Sequence, residues 1–283
     1  MSTMSPANTA RIAVAQPGRL TERQWQMLVG RGCVSAAAGF EEIAEWLVEA
    51  ARLRPGDTAL DVACGTASVA IAAARRGCVV TGVDDVHALI ERGRDRAAAE
   101  GLSVTFTEAD AEHLPYPDAS FDAVLSCVGV MFAPRHRQAA GELVRVCRPG
   151  GTIALANWTP AGFVGRIFQT LAAHVPAASL MWPPGLWGTE QHLETLLGRA
   201  VERLTISRRE YVFRFRSTRD FVDGFRDSCG PVRHAFDTLD ELGRRRLYDD
   251  LAALAVRHDR NPGMGLAVPA EYVEAIARRA VAQ

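Results

Sequence analysis

The chain reads as an α/β protein built on a doubly wound, mostly parallel sheet with helical cap insertions. Two observations predict this. Short apolar runs near 58–62, 79–83, 103–107, 121–126 and 151–157 alternate with helical stretches near 67–76, 86–100 and 135–147. Each run shows little alternation of polar and apolar residues, as expected of strands buried on both faces of a parallel sheet. At 283 residues the chain is long enough for such a core plus a cap.

Residues 1–20 mix Ser, Thr, Pro, Gly and Arg and are expected to form a flexible N-terminal segment. Residues 21–158 hold N-terminal helices and the core: Trp25, Leu28 and Val29, then Ile43, Leu47 and Ala50, recur at helical spacing before Pro55-Gly56-Asp57 breaks the pattern. After Trp158 the pattern changes. Residues 159–260 read as a cap and substrate region, with a helix near 163–175, a proline-rich turn segment, a strand near 208–216 and two or three helices broken at Gly230-Pro231. In that strand Tyr211, Phe213 and Phe215 share one face and arginines the other. Residues 261–283 complete the core through Tyr272-Val-Glu-Ala-Ile-Ala277, which suits a last strand or a helix nearly equally.

Composition narrows the chemistry. A formal net charge of −1 leaves no electrostatic footprint for nucleic acid or an anionic membrane. The six cysteines form no C-x-x-C pair and read as reduced thiols, and the seven histidines show no H-E-x-x-H, so no metal is expected. The chain contains no lysine, which removes Schiff-base chemistry and the phosphate-binding lysine of a Walker loop. With no signal-like stretch and no apolar run of spanning length, a soluble cytoplasmic protein is expected. Nothing in the chain specifies an oligomeric state.

The segment from Thr58 to Asp84 carries the most chemistry. An apolar run ends in Asp61, turns through small residues, continues as an Ala-rich helix, and a second strand stops on Asp84-Asp85. Gly65 and Asp84 lie 19 residues apart, near the interval at which a strand-tip carboxylate meets ribose hydroxyls. The dinucleotide fingerprint G-x-G-x-x-G would fall on Ala63, Gly65 and Ser68 and fails. The D-x-G-x-G-x-G loop is matched instead by Asp61, Ala63, Gly65 and Ala67, with two alanines in glycine positions. Val104 to Ser126 and Glu142 to Leu155 then resemble the Asp-Ala, Leu-Pro-x-Pro-Asp-x-Ser-Phe-Asp and helix-turn-strand landmarks that follow this loop. On these four ordered motifs the chain resembles the class I S-adenosylmethionine (SAM)-dependent methyltransferases, in the type 11-like group acting on small molecules.

The resemblance implies a seven-stranded Rossmann-like sheet, SAM as cofactor and S-adenosylhomocysteine as product. It implies that Asp61 orients the loop of Ala63, Gly65 and Ala67, that Asp84 accepts the ribose hydroxyls with Asp85 capping the next helix, and that Asp110 and Ala111 meet the adenine. Cys127 is expected to line the site through its backbone. Met131, Phe132, Trp158, Trp182 and Trp187 are candidates for the acceptor side, with packing as the equal alternative. His113 and His136 are the candidate bases, although His136 at a helix start is expected to be solvated. An alanine at 67 is strained if its φ is positive. That leaves open a methyltransferase-like protein doing non-methylating work such as cyclisation, and more remotely an NAD-type oxidoreductase. The leading expectation is methyl transfer to a small, fairly apolar acceptor.

Overall fold

The structure is a computed structural model that describes residues 40–175 and 184–281. The helical pattern around Trp25, the N-terminal segment and Trp182 lie outside the described residues. The core runs α1 (Glu41–Ala51), β1 (Thr58–Val62), α2 (Ser68–Arg75), β2 (Val79–Asp84), α3 (His87–Ala99), β3 (Val104–Glu108), β4 (Phe121–Cys127), α4 (His136–Val146) and β5 (Cys147–Trp158). There follow α5 (Phe163–His174), α6 (Glu190–Leu197), β6 (Val201–Phe215), α7 (Thr218–Ser228), α8 (Gly230–Thr238), α9 (Glu241–His258) and β7 (Leu266–Arg279). Short 3-10 turns at Val130–Phe132 and Pro184–Gly188 follow β4 and precede α6.

One seven-stranded sheet in the order β3-β2-β1-β4-β5-β7-β6 carries these elements. The pairs among β1 to β5 are parallel, whereas β7 is antiparallel to both β5 and β6. The order reverses at β1, from which β2 lies on one side and β4 on the other. Such a switch point opens a crevice at the carboxyl ends of the strands. Four of the five residues of β1 are buried. Leu60, Val62, Val124, Leu125, Ile153 and Leu155 are wholly buried, and each such side chain contributes about 1.5–3 kcal/mol on leaving water.

One element differs from the sequence reading, and another that suited strand or helix equally is settled. The strand expected near 208–216 begins at Val201 and is the edge strand of the sheet, so it belongs to the core rather than to a cap. The half-exposed pattern and mixed charges of Val201 to Arg209 hid it, because an edge strand need not bury both faces. The segment around Tyr272 is a strand inserted between β5 and β6, and its pairing overrides the helical propensity of its alanines. No described helix is long and apolar enough to cross a membrane.

Candidate active site

Beyond β1 the chain turns through Ala63, Gly65 and Ala67, whose φ angles of 53°, 54° and 69° are all left-handed. The turn is held by its neighbours. Cys64 N donates to the Val83 carbonyl at 2.9 Å, and Ala67 N donates to the Cys64 carbonyl at 2.8 Å. Asp84 ties two pieces together: Oδ2 accepts from Gly65 N at 2.8 Å and Oδ1 from Val86 N at 3.0 Å. Arg96 of α3 adds a hydrogen bond from Nη1 to the Thr66 hydroxyl at 3.0 Å.

Asp61 acts at the start of α2. That helix begins after Ala67, which offers no side-chain cap. The buried Asp61 Oδ2 instead accepts from Ala70 N at 2.9 Å, satisfying one of the first-turn amides a helix leaves unpaired. Asp61 therefore does from the strand what a serine or aspartate at the cap position does from within the chain.

The two alanines that replace loop glycines point their methyls into the protein. Ala67 is wholly buried, and a methyl built on Gly93 of α3 would lie 3.0 Å from its Cβ. A methyl built on Gly129 would lie 2.7 Å from the Cβ of Ala63. The space Ala67 needs is thus left by Gly93, whereas at Gly129 the Ala63 carbonyl, 2.5 Å from where a methyl would lie, already excludes a side chain. Gly65 differs: a methyl there would meet nothing within 4 Å, so the loop backbone is open at its centre. The backbone at Ala67 is left-handed, at a cost of about 1–2 kcal/mol for a residue bearing a Cβ, yet the methyl does not obstruct the open side.

The strand-tip acids differ in environment. Asp84 is buried, and burial raises its carboxyl above the usual range. Asp61 is pushed up to about 8, chiefly by burial and further by the charge of Asp84. Asp85 is exposed at the surface but recessed among acids, and its carboxyl is pushed up to about 7 by desolvation, then by Asp84, Asp110 and Glu108. Asp85 does not cap α3: the first-turn amide of Val86 is taken by Asp84, and Val86 itself occupies the cap position. Asp110 closes a small turn, with Oδ1 accepting from Glu112 N at 2.8 Å and Oδ2 3.3 Å from His113 Nδ1. Ala111 beside it is half-buried, and His113 is exposed, with Nε2 2.7 Å from Gln138 Nε2. Cys127 at the tip of β4 is half-buried, and burial followed by the Asp61 charge pushes its thiol well up, which keeps it protonated.

The acceptor-side candidates separate into groups. Met131 is buried in the core, and Phe132 is half-buried with its ring 6.4 Å from Phe168. Trp158 ends β5 and is buried among Phe40, Phe213 and Tyr272, at ring distances of 5.8, 5.7 and 6.0 Å. Trp187 is wholly buried elsewhere, 5.6 Å from the His136 ring and 6.3 Å from His192. His136 is correspondingly buried rather than solvated. Its Nδ1 lies 2.9 Å from His192 Nε2, and burial followed by His192 lowers its titration to about 4. The reason is tertiary: the Pro184–Gly188 turn and α6 fold over the start of α4.

The structure therefore brings Asp61, the loop, Asp84, Asp85 and Cys127 to neighbouring strand tips, with Asp110 just beyond β3 and Trp158 at the end of β5. It does not bring Trp187 and His136 into the Trp158 aromatic group. Among the described residues no group of three or more His, Cys, Asp or Glu is placed to hold a metal ion. Sequence reading missed Arg209, Tyr272 and Glu274, which the antiparallel register sets beside the tip of β5.

An open loop at a switch point, followed by an acid-tipped second strand and a sheet finished by the antiparallel pair β6 and β7, defines a Rossmann-like enzyme of the methyltransferase type. Residues 60–155 match the family described as methyltransferase domain. The protein Rv1405c of Mycobacterium tuberculosis is 43% identical over 216 residues, covering 76% of this chain and 76% of its own. The demethylmenaquinone methyltransferase of Deinococcus radiodurans is 39% identical over 120 residues, 41% of this chain and 50% of that one. In fold, the BH2331 protein of Bacillus halodurans superposes with a TM-score of 0.59 at 18% identity, covering 85% of this chain and all of its own. The chain belongs to the class I SAM-dependent methyltransferases.

Proposed function

We propose that this enzyme transfers the methyl group of SAM to a small, largely apolar acceptor, with positioning as its main catalytic device. Bound SAM supplies a methyl group already activated by its sulfonium. What the protein must add is an acceptor held in line at near-attack distance in a site poor in water. One observation carries this reading: the open backbone at Gly65, the acidic tip of β2 and the aromatic group around Trp158 all lie along the carboxyl ends of the parallel strands.

The residues fit the cofactor. A carboxylate offers about four acceptor positions; on Asp84 the amides of Gly65 and Val86 take two, and the Asp85 amide and side chain also bond to it. Ribose hydroxyls would reach Asp84 by replacing the Asp85 side chain, while Asp84 goes on holding the loop that borders them. Asp85 adds a second carboxyl, hydrogen-bonded to Asp84, and Asp110 with the Ala111 amide lies where β3 ends, suited to an adenine edge. Cys127 presents backbone at the tip of β4, its protonated thiol making it no nucleophile. Neither candidate histidine suits a base: His113 is engaged by Asp110 and Gln138, and His136 is buried against Trp187 and His192. This supports positioning over proton transfer by histidine.

The test is titration calorimetry with SAM, S-adenosylhomocysteine and NAD, followed by transfer of radiolabelled methyl to a panel of apolar acceptors. Saturable binding of the first two and not of NAD is expected, with label moving to an apolar acceptor. Absence of SAM binding, or transfer confined to strongly charged acceptors, overturns the proposal.

A further inference from the structure

Buried polar atoms without partners gather beside the tip of β5. The register of β7 sets Tyr272 against Trp158 and Glu274 against Ala156, and β6 extends the rows with Arg209 beside Tyr272. Ala156 in turn lies against Cys127 of β4. Residues directly opposite, and those two apart along a strand, share a face. Cys127, Glu274, Tyr272 and Trp158 are therefore on one face, reached from the carboxyl ends of the parallel strands.

Glu274 is 4% exposed and Tyr272 is wholly buried. Arg209 Nη2 meets Glu274 Oε1 at 2.9 Å, but Glu274 Oε2 and the Tyr272 hydroxyl have no hydrogen-bond partner among the described residues. Their surroundings are aromatic, with Trp158 edge-on to Tyr272 and Phe213 against Trp158. Half-buried Cys127, Phe40 and Tyr211 border the group and bring it to the surface. Two unpaired oxygens in an apolar wall are costly for a fold to keep unless a ligand satisfies them.

We propose that Glu274 and Tyr272 form the polar end of the acceptor pocket and select a neutral, flat-ringed acceptor carrying a hydroxyl, a compound of the phenol class. The location rests on the methyl-transfer reading above. The choice of a hydroxyl follows from the pair's complementarity. A carboxylate oxygen only accepts; Tyr272, held protonated by burial and by the nearby Glu274 charge, has a hydrogen to donate. A hydroxyl does both in return. An ammonium can only donate and would leave the Tyr272 hydrogen unmatched, whereas a hydroxyl pairs with both groups; Arg209 opposes the charges of Glu274 and of Glu42 nearby. A carboxylate acceptor would be repelled by Glu274. The flat body follows from the rings of Trp158, Tyr272 and Phe213.

The probes are 2-naphthol and its methyl ether, titrated into the full chain saturated with S-adenosylhomocysteine. One charge-assisted hydrogen bond predicts a preference of about tenfold or more for the naphthol. Glu274→Gln should cut that preference to roughly threefold or less, because only the naphthol can donate to Glu274, whereas Tyr272→Phe, which removes a donor open to either oxygen, should weaken both probes by about threefold or more; both variants should keep S-adenosylhomocysteine affinity within about twofold. Tyr272→Phe removes a hydroxyl with no partner, so its thermal stability should equal or exceed wild type, which keeps the test valid even where Glu274→Gln folds poorly. Equal affinity for the two probes, binding of neither, a preference that survives Glu274→Gln, or unchanged affinity for both probes in Tyr272→Phe overturns the proposal. Failure of the wild type to bind S-adenosylhomocysteine is a separate result that sinks the methyl-transfer reading instead.

Discussion

The methyl of Ala67 sits against Gly93 of α3, so that a methyl on Gly93 would come to 3.0 Å from it. The two positions divide one small volume between the cofactor loop and the helix beside it, and the same methyl would press on the Phe106 ring at 3.1 Å. An alanine stands in a loop position where the family pattern has glycine because the helix supplies the missing room.

Gly93→Ala should accordingly destabilise the protein by about 1–3 kcal/mol, the usual cost of overpacking. Ala67→Gly alone exchanges lost packing for relief of a left-handed alanine and should change stability by less than about 1 kcal/mol. The double variant should recover part of the Gly93→Ala loss, with a coupling of at least about 0.5 kcal/mol in a urea-denaturation cycle. Strict additivity would show that the two residues do not compete for space.

Asp84 and Asp85 should separate by what else they hold. Asp84→Asn removes an acceptor from either the Gly65 or the Val86 amide, so it should lower both SAM affinity and the melting temperature, the former by about 1.5–3 kcal/mol for a charge-assisted contact. Asp85→Asn disturbs no loop amide and should leave or raise the melting temperature at pH 8, where a charge crowded by Asp84 is removed. Calorimetry and thermal denaturation on both variants decide it; a loop that melts equally in both would contradict the division.

Much of this site was legible in the sequence because its determinants are local. The interval from Gly65 to Asp84 and the small residues of the turn lie within one βαβ unit, whose buried strands read as short apolar runs. What was not legible depends on distant pairing. Glu274 meets Arg209 across an antiparallel ladder, and no local pattern announces that register. His136 is buried by His192, 56 residues away, and its place at a helix start suggests the opposite. The left-handed φ of Ala67 was foreseeable as a question, but its answer lay with Gly93 in another helix.

The buried Asp61 makes stability fall as pH rises between about 4 and 8. Its carboxyl is raised from an ordinary value of about 3.9 to about 8, so the folded state favours the protonated form. That contribution is full below about 4 and is lost as pH rises toward 8. Asp61→Asn keeps an oxygen to accept from Ala70 N and cannot ionise. The melting temperature of wild type should fall between pH 6 and 9 by more than that of Asp61→Asn. Parallel profiles would place the titration elsewhere.

The His136–His192 pair sets the opposite slope on the acid side. Both imidazoles are lowered by burial, His136 to about 4 with His192 as the second cause, and His192 further by Arg137. The unfolded chain takes up protons near the ordinary histidine value of about 6.5, while the folded pair resists. Stability should therefore be full above that value and fall as pH drops from about 6.5 toward 4. The lost contacts join α4 to α6 and the turn carrying Trp187, so this cap region should loosen first. His192→Asn retains a hydrogen-bonding side chain without the titration and should shrink the loss of melting temperature between pH 7 and 5. Hydrogen exchange at pH 5 should show α6 opening ahead of β1 in wild type and less so in the variant. Uniform opening across both elements would mean that acid acts on the whole core and that this pair is a bystander.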